Sequence, residues 1–128
     1  MSLTVPAALL LKAQRGSVPD EEFLDCIAGS LPYAWGMVVR LAGEMDASGA
    51  SSAQNVEVPP DDAAWGEVFR LVGSDAMRGA VERRFGVRPA FQNCCRVGLF
   101  RPDATAEYAE FTSPRAQLLN QRPELLNC

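Results

Sequence analysis

Apolar residues in the first third of the chain recur at helical spacing, in three segments of one design. The segments are 4–16 (TVPAALLLKAQRG), 17–29 (SVPDEEFLDCIAG) and 30–43 (SLPYAWGMVVRLAG). Each begins with Ser or Thr, has Pro two residues later and ends on Gly. A hydroxyl caps a helix N-terminus, Pro is tolerated in the first turn, and Gly favours the left-handed backbone that ends a helix. The pattern predicts three short Ser/Thr-capped helices with almost no loop between them.

The following residues, 46–60 (DASGASSAQNVEVPP), are small and polar without periodicity, which predicts a flexible loop. Helical spacing returns from Asp61 to Gly73, and again from a Ser74 cap to Gly86. The stretch AWGEVFRLVG at 64–73 repeats AWGMVVRLAG at 34–43, with seven of ten positions identical. Two explanations stay open: two core helices of similar composition, or a pseudo-symmetric pair that packs closely through Gly36 and Gly66.

The period changes from helical to two in residues 90–100 (AFQNCCRVGLF). Alternation over such a run is typical of a strand. One face would carry Phe91, Cys95, Val97 and Leu99, and the other Gln92, Cys94, Arg96 and Gly98. A strand needs a partner, which is either residues 105–112 or the same strand of a second subunit. Ser113 and Pro114 then begin a final short helix over 113–121.

These elements predict a mainly α fold: a compact bundle of short capped helices with a small β element near residues 90–112. A length of 128 residues suits a single globular domain over residues 1–128. No apolar run is long enough to cross a bilayer, and no signal peptide is recognisable. We therefore expect a cytoplasmic protein without a membrane partner.

Charge and composition exclude several kinds of chemistry. The net charge is −4, and an acidic chain of this kind is a poor partner for nucleic acid. Histidine is absent, which excludes Ser-His-Asp and Cys-His catalysis and His-ligated metals. The four cysteines, at positions 26, 94, 95 and 128, form no CxxC motif. We expect no metal and no cofactor, and we expect Cys26 to be a core residue.

The segment FQNCCR, residues 91–96, is the most polar stretch that also has strand periodicity. Polar side chains that converge beside apolar ones are typical of a ligand pocket, although they also serve to satisfy loop or helix-end backbone. We predict a ligand site that holds a polar or anionic molecule between the third helix and this strand. Its residues are Tyr33, Gln92, Asn93, Cys94 and Arg96. Arg83, Arg84 or Arg88 would assist Arg96 in binding a carboxylate or phosphate.

Three stretches carry a resemblance to a known family: SLPYAW (30–35), FQNC (91–94) and FTSPRAQLLNQRPEL (111–125). Together they resemble a small family of uncharacterised actinobacterial proteins found in natural-product biosynthetic gene clusters. The resemblance implies an accessory role in specialised metabolism. It assigns no catalytic residue.

Three functional hypotheses follow. The first is an accessory or small-ligand-binding protein of bacterial specialised metabolism. The second is a small enzyme without His, whose acid–base group is Cys94, Tyr33, Glu107 or Glu110, with Arg96 holding the substrate. A nearby cation would lower the pKa of the Cys94 thiol. The third is a homodimeric interaction module built on the C-terminal tail and an exposed strand edge.

Overall fold

The computed structural model describes residues 2–93 and 96–121. Seven helices and three strands lie within these ranges. In chain order they are α1 (Ala7–Gln14), α2 (Asp20–Ser30), α3 (Pro32–Ser48), β1 (Ser52–Asn55), α4 (Asp62–Val72), α5 (Asp75–Phe85), β2 (Arg88–Gln92), β3 (Arg96–Phe100), α6 (Thr105–Phe111) and α7 (Pro114–Leu119). The strands form an antiparallel sheet in the order β1-β3-β2. The predicted fold class, mainly α with a minor β element, is confirmed.

The sheet separates two layers of unequal size. On one face, Val97 and Leu99 of β3 join a core that contains buried residues of α2, α3, α4 and α5. On the other face, Phe100 and Ala90 pack against Phe111 of α6. Strand side chains alternate between faces, so neighbouring residues of β3 serve different cores. The second core, with α6 and α7 above it, positions the candidate site.

The three N-terminal helices form, but their predicted caps are wrong. Pro6 and Pro19 themselves occupy the N-cap positions of α1 and α2, and no side chain caps either helix. Ser30 is the last residue of α2, and its hydroxyl accepts a hydrogen bond from the Thr4 backbone N–H at 2.8 Å. The helices therefore begin one to two residues later than the hydroxyl pattern suggests.

The helix α3 continues beyond its predicted end at Gly43 and stops at Ser48. Gly49 adopts a φ of 69° and supplies the left-handed C-cap. Met45, in the added turn, is fully buried, and this burial offsets the cost of a glycine within the helix. The predicted flexible loop 46–60 is thus wrong at its start. It is wrong again at β1, which pairs with β3 from Ser52↔Phe100 to Asn55↔Val97.

Helices α5 and α7 carry the Ser74 and Ser113 caps that the sequence predicts, and α4 begins beside Asp61, where helical spacing predicts its start. The side chains of Asp61, Ser74 and Ser113 accept hydrogen bonds from the backbone N–H three residues later. Gly86, with a φ of 63°, ends α5. Each of these hydroxyl or carboxylate groups satisfies one of the unpaired donors at a helix N-terminus.

The alternating segment 90–100 belongs to a hairpin rather than to one strand. Strands β2 and β3 pair from Arg88↔Phe100 to Gln92↔Arg96. In every pair the two residue numbers are both even or both odd. Paired residues lie on the same face of the sheet, so odd-numbered residues of both strands share one face and even-numbered residues share the other. Phe91 and Val97 therefore share a face, as the alternation predicts, although the chain reverses between them. The predicted partner 105–112 is wrong, because that segment forms α6.

The repeated stretches lie in α3 and α4, which pack against each other. A Cβ added at Gly36 would meet no atom within 4 Å, and one at Gly66 would meet only the side chain of Arg70. Neither glycine lies against the other helix. Close packing through Gly36 and Gly66 is therefore wrong. Two core helices of similar composition account for the repeat.

Candidate ligand site

A groove of about 480 Å³ opens on the sheet face that carries α6. Strands β1, β2 and β3 form its floor, and α6 and α7 form its wall. Its lining residues are Ser52, Gln54, Gln92, Arg96, Phe100, Ala106, Glu107, Glu110, Phe111 and Ala116. Six of these ten residues are polar, and the two phenylalanines and two alanines supply the apolar surface. A concave surface that combines apolar area with polar side chains is typical of a small-molecule site.

The floor of the groove contains two polar side chains with unused hydrogen-bonding atoms. Gln92 is 4% exposed, and its Nε2 donates to the Phe111 carbonyl at 2.9 Å. Its Oε1 is buried and has no partner among the described residues. The same holds for Nε of Arg96, which lies directly opposite Gln92 on β3. Leaving a buried polar atom unpaired costs about 1–3 kcal/mol, so such atoms require an explanation.

The rim of the groove is acidic. Glu107 on α6 accepts hydrogen bonds from the hydroxyls of Ser51 and Ser52, the second at 2.6 Å. These hydrogen bonds lower the pKa of Glu107 below its ordinary value of 4.5. One turn later, Glu110 pairs with Arg115 at 2.7 Å. Glu107 is therefore a charged and weakly basic group, unsuited to accept a proton near neutral pH.

Two hydrogen bonds connect Asn93, at the turn after β2, with side chains of α7 and its C-cap. The backbone N–H of Asn93 donates to Oε1 of Gln117 at 3.1 Å. Nδ2 of Asn120 donates to the Asn93 carbonyl at 2.7 Å. The other amide atoms of these two side chains, Gln117 Nε2 and Asn120 Oδ1, are buried without partners in the described part of the chain. Asn93 thus contributes its backbone to the support of the hairpin beside the groove.

The structure brings together only part of the predicted site. Gln92 and Arg96 lie side by side in the groove, and Asn93 lies at the adjoining turn. Tyr33 packs against the main core on the other side of the sheet, and its backbone N–H donates to Glu67 at 2.9 Å. The space between the third helix and Gln92 therefore does not form, because α3 and Gln92 lie on opposite faces. Cys94 lies outside the described residues.

The arginines predicted to assist Arg96 are engaged elsewhere. Arg83 pairs with Asp20 at 2.6 Å, and this hydrogen bond lowers the pKa of Asp20 below 3.8. Arg84 lies over the Phe85 ring at 5.5 Å, and Arg88 lies over the Tyr108 ring at 3.7 Å. None of the three lines the groove. Of these four arginines, Arg96 alone lines the groove among the described residues.

Sequence reasoning missed the groove residues Ser52 and Gln54, because the segment that carries them has no apolar alternation. It named Glu107 and Glu110 only as acid–base candidates and did not connect them with Gln92. Glu107 and Glu110 follow Asp103 by four and seven residues, which is helical spacing. This spacing could have predicted that the two glutamates lie on one face of a helix. Cys26 is buried, as predicted, and its thiol lies 3.5 Å from the Thr4 carbonyl.

Two classes of feature are absent from the described ranges. No cluster of three or more His, Cys, Asp or Glu side chains in residues 2–93 and 96–121 is arranged to hold a metal ion. In the same ranges, none of the helices combines the length and apolar character that crossing a membrane demands.

One family model matches the chain over residues 1–128; its name is KH_NucS_shadow and its description is NucS shadow ORF. No curated protein and no solved structure matches the chain. The family match corrects the resemblance drawn from SLPYAW, FQNC and FTSPRAQLLNQRPEL. That resemblance pointed to actinobacterial proteins of natural-product clusters and was wrong, since the family that covers the whole chain is a different one.

Proposed function

The chain belongs to the NucS shadow ORF family, whose description names no activity, and from this starting point we propose that it is a small-ligand-binding protein. It holds a polar molecule in the groove between the sheet and helices α6 and α7. Binding is by hydrogen bonds to the groove floor and by contact with the apolar walls. The role in specialised metabolism is withdrawn with the family resemblance on which it rested.

One observation carries this proposal: Gln92 and Arg96, whose Oε1 and Nε are buried without partners among the described residues, both line one groove. Native proteins satisfy nearly all buried polar groups, and unsatisfied ones concentrate at functional sites or mark a missing ion, water or ligand. Both atoms lie beneath the groove surface, so a bound molecule would pair with them once the two side chains turn toward it. The neighbouring Phe100 and Phe111 add apolar contact area.

Native mass spectrometry of freshly purified protein tests the proposal. We expect a bound small molecule that is released on denaturation and is absent from Arg96→Lys, which keeps the charge and removes the Nε donor. Arg15→Lys, at the C-cap of α1 and not among the residues that line the groove, is the matched control and should retain the bound mass. A ligand-free protein, together with no binding in a fragment screen, would contradict the proposal.

The family description favours a second candidate, in which the chain has no cellular role. A shadow ORF is a reading frame that overlaps another coding sequence, here that of NucS. Against this, the local signals and the fold agree: Asp61, Ser74 and Ser113 cap helices, Gly86 ends one, and the strand alternation matches the two cores. Such consistency between levels is typical of sequences that specify a fold.

Detection of the chain in cells separates these candidates. A stop codon in this frame that is synonymous in the NucS frame should remove its peptides from a proteomic spectrum and leave NucS peptides unchanged. If wild-type cells contain no such peptides, the protein is not produced. The proposed ligand-binding function is then contradicted. A cytoplasmic location is a prediction that the same fractionated samples test.

The enzyme and the homodimer remain predictions with less support. Ser52 and Glu107 form a hydroxyl–carboxylate pair, but the lowered pKa of Glu107 makes it a weak base. Both edges of the sheet are poor surfaces for pairing, because β1 has four residues and β2 contains Pro89. The native mass spectrum reports the oligomeric state directly.

A further inference from the structure

Helix α6 separates two grooves. Ala106, Glu107 and Glu110 line the groove of the proposed function, whereas Tyr108 and Thr112 line a second groove of about 510 Å³. Tyr108 and Thr112 are four residues apart, so they share one flank of the helix. The second groove lies along β2, an edge strand of the sheet, and is called the β2-edge groove below. Its lining residues are Val72, Arg78, Glu82, Arg88, Pro89, Ala90, Phe91, Tyr108 and Thr112.

Arg88 presents an accessible cation to the β2-edge groove. The residue is exposed, and its Cζ lies 3.7 Å from the centroid of the Tyr108 ring. So short a distance requires a face-to-face approach, because a guanidinium nitrogen directed at the ring would clash with it. The N–H donors then project outward in the guanidinium plane. Within residues 2–93 and 96–121, the Arg88 side chain forms no ion pair. Its donors are therefore available to a carboxylate, which accepts two of them in parallel.

The charges of the β2-edge groove favour an anion. Two arginines and one glutamate line it, which gives a formal charge of +1. One arginine and two glutamates line the groove of the proposed function and give −1. Arg78 is already engaged, because it donates to the Val72 carbonyl at 2.6 Å and pairs with Asp75. Arg88 is therefore the arginine that an incoming anion contacts.

Accessible apolar side chains follow Arg88 along the same strand. Pro89 and Phe91 are half-buried and line the groove together with Val72. Phe91 also contacts Phe69 of α4 edge-on, with ring centroids 5.5 Å apart, and Phe69 is 46% exposed. Apolar surface thus extends from the neighbourhood of Arg88 towards α4. An aromatic ring placed there would bury apolar area and contact Phe91 in the geometry that aromatic pairs prefer.

We propose that the β2-edge groove binds an aromatic carboxylate, at a site separate from the groove of the proposed function. The carboxylate accepts hydrogen bonds from the guanidinium of Arg88, and the ring lies against Pro89 and Phe91. A neutral amide of the same shape has one acceptor oxygen instead of two and no charge to pair with the arginine. The anionic ligand predicted for Arg96 is thereby assigned to Arg88, one of the arginines predicted to assist it.

Phenylacetate, phenylacetamide and acetate test the assignment, because they separate the charge from the ring. Each is titrated into the full chain labelled with ¹⁵N, and the resonances of the Arg88 Nε–H and of the Ala90, Phe91 and Tyr108 backbone amides are followed. We expect phenylacetate to bind at least about tenfold more tightly than either other probe. Equally tight binding of phenylacetamide or acetate overturns the proposal. Shifts confined to Gln54 and its neighbours in the other groove, or no shifts with any probe, overturn it as well.

Arg88→Lys provides the second arm, with Arg84→Lys as its matched control. Arg84 also lies over an aromatic ring, that of Phe85 at 5.5 Å, but it does not line the β2-edge groove. We expect Arg88→Lys to weaken phenylacetate binding about tenfold, because lysine keeps the charge and loses the planar fork of donors. Arg84→Lys should leave the affinity unchanged. Unchanged affinity in Arg88→Lys, or an equal loss in both variants, overturns the proposal. If Arg88→Lys does not fold, the comparison of probes on the unchanged chain still decides.

Discussion

At the scale of single residues, Gly98 on the central strand shows how tightly the smaller core is packed. A Cβ at this position would lie 2.6 Å from Cε2 and 2.9 Å from Cζ of Phe100, whose ring is itself buried. A methyl group can therefore enter only if that ring moves. Overpacking of this kind costs about 1–3 kcal/mol.

We predict that Gly98→Ala lowers the free energy of unfolding by about 1–3 kcal/mol, measured by urea denaturation. Gly43→Ala is the control, since Gly43 is exposed within α3 and a Cβ there meets nothing within 4 Å. It should raise stability by about 0.5–1 kcal/mol, because alanine is the better helix former. Equal effects of the two substitutions would refute this description of the packing.

The candidate site was predictable at the residues whose face is set by local alternation. Gln92 and Arg96 follow from the period of two, and the even register keeps that period valid across the turn. Tyr33 was placed wrongly because nothing in its own segment reveals on which side of a distant sheet its helix packs. The glutamates of the rim reach the groove only through the packing of α6, which is a tertiary property.

At the scale of helices and strands, a Ser or Thr near the start of a helix does not by itself show which residue is the N-cap. The N-cap is known only once the position of the first helical turn is known. Ser74 caps α5, with its Oγ accepting from the Met77 N–H at 3.2 Å, whereas Ser17 precedes the actual N-cap of α2 by two residues. We predict that Ser74→Ala lowers stability by about 1 kcal/mol and that Ser17→Ala changes it by less than half of that. Thermal or urea unfolding of both variants measures the difference, and a loss in Ser17→Ala as large as in Ser74→Ala would contradict the assignment.

Strand β1 shows the limit of prediction for elements. Its four residues have neither apolar alternation nor β-branched side chains, and the segment is extended because it pairs with β3 some 45 residues later. Conversely, α4, α5 and α7 were predictable because their caps and stops lie within the segment itself. Local signals fix local structure, and long-range pairing fixes the rest.

At the scale of the whole molecule, the ion pair between Asp20 and Arg83 connects an N-terminal helix with the second half of the chain. Asp20 at the start of α2 accepts from Nε and Nη2 of Arg83 in α5, at 2.6 and 3.0 Å. The hydrogen bond lowers the pKa of Asp20 below 3.8 and raises that of Arg83. A carboxylate with a lowered pKa stabilises the folded state above its ordinary pKa, and this contribution is lost as the pH falls through the lowered value.

We therefore expect Asp20→Asn to be less stable than the unchanged chain at pH 6. The difference should shrink as the pH falls below about 4 and disappear in strong acid. Urea denaturation across this range measures it, with Glu21→Gln as a control that removes a first-turn carboxylate and leaves the pair with Arg83 intact. Since both partners are exposed, added salt should also reduce the difference. A difference that does not vary with pH would contradict the assignment.

The unequal layers on the two faces of the sheet have a consequence for solvent exchange. Among the residues that the structure describes, the main core contains 17 buried residues, whereas the core beneath α6 contains three. Local opening needs less free energy where fewer apolar contacts break, so the α6–α7 layer should detach while the larger body stays folded. Amide hydrogens of α6 should then exchange with deuterium sooner than those of α3. A molecule bound in the groove contacts the sheet and α6 together, so it would stabilise the attachment of this layer. Its binding should therefore slow deuterium exchange in α6 and α7 and leave the exchange of α3 unchanged.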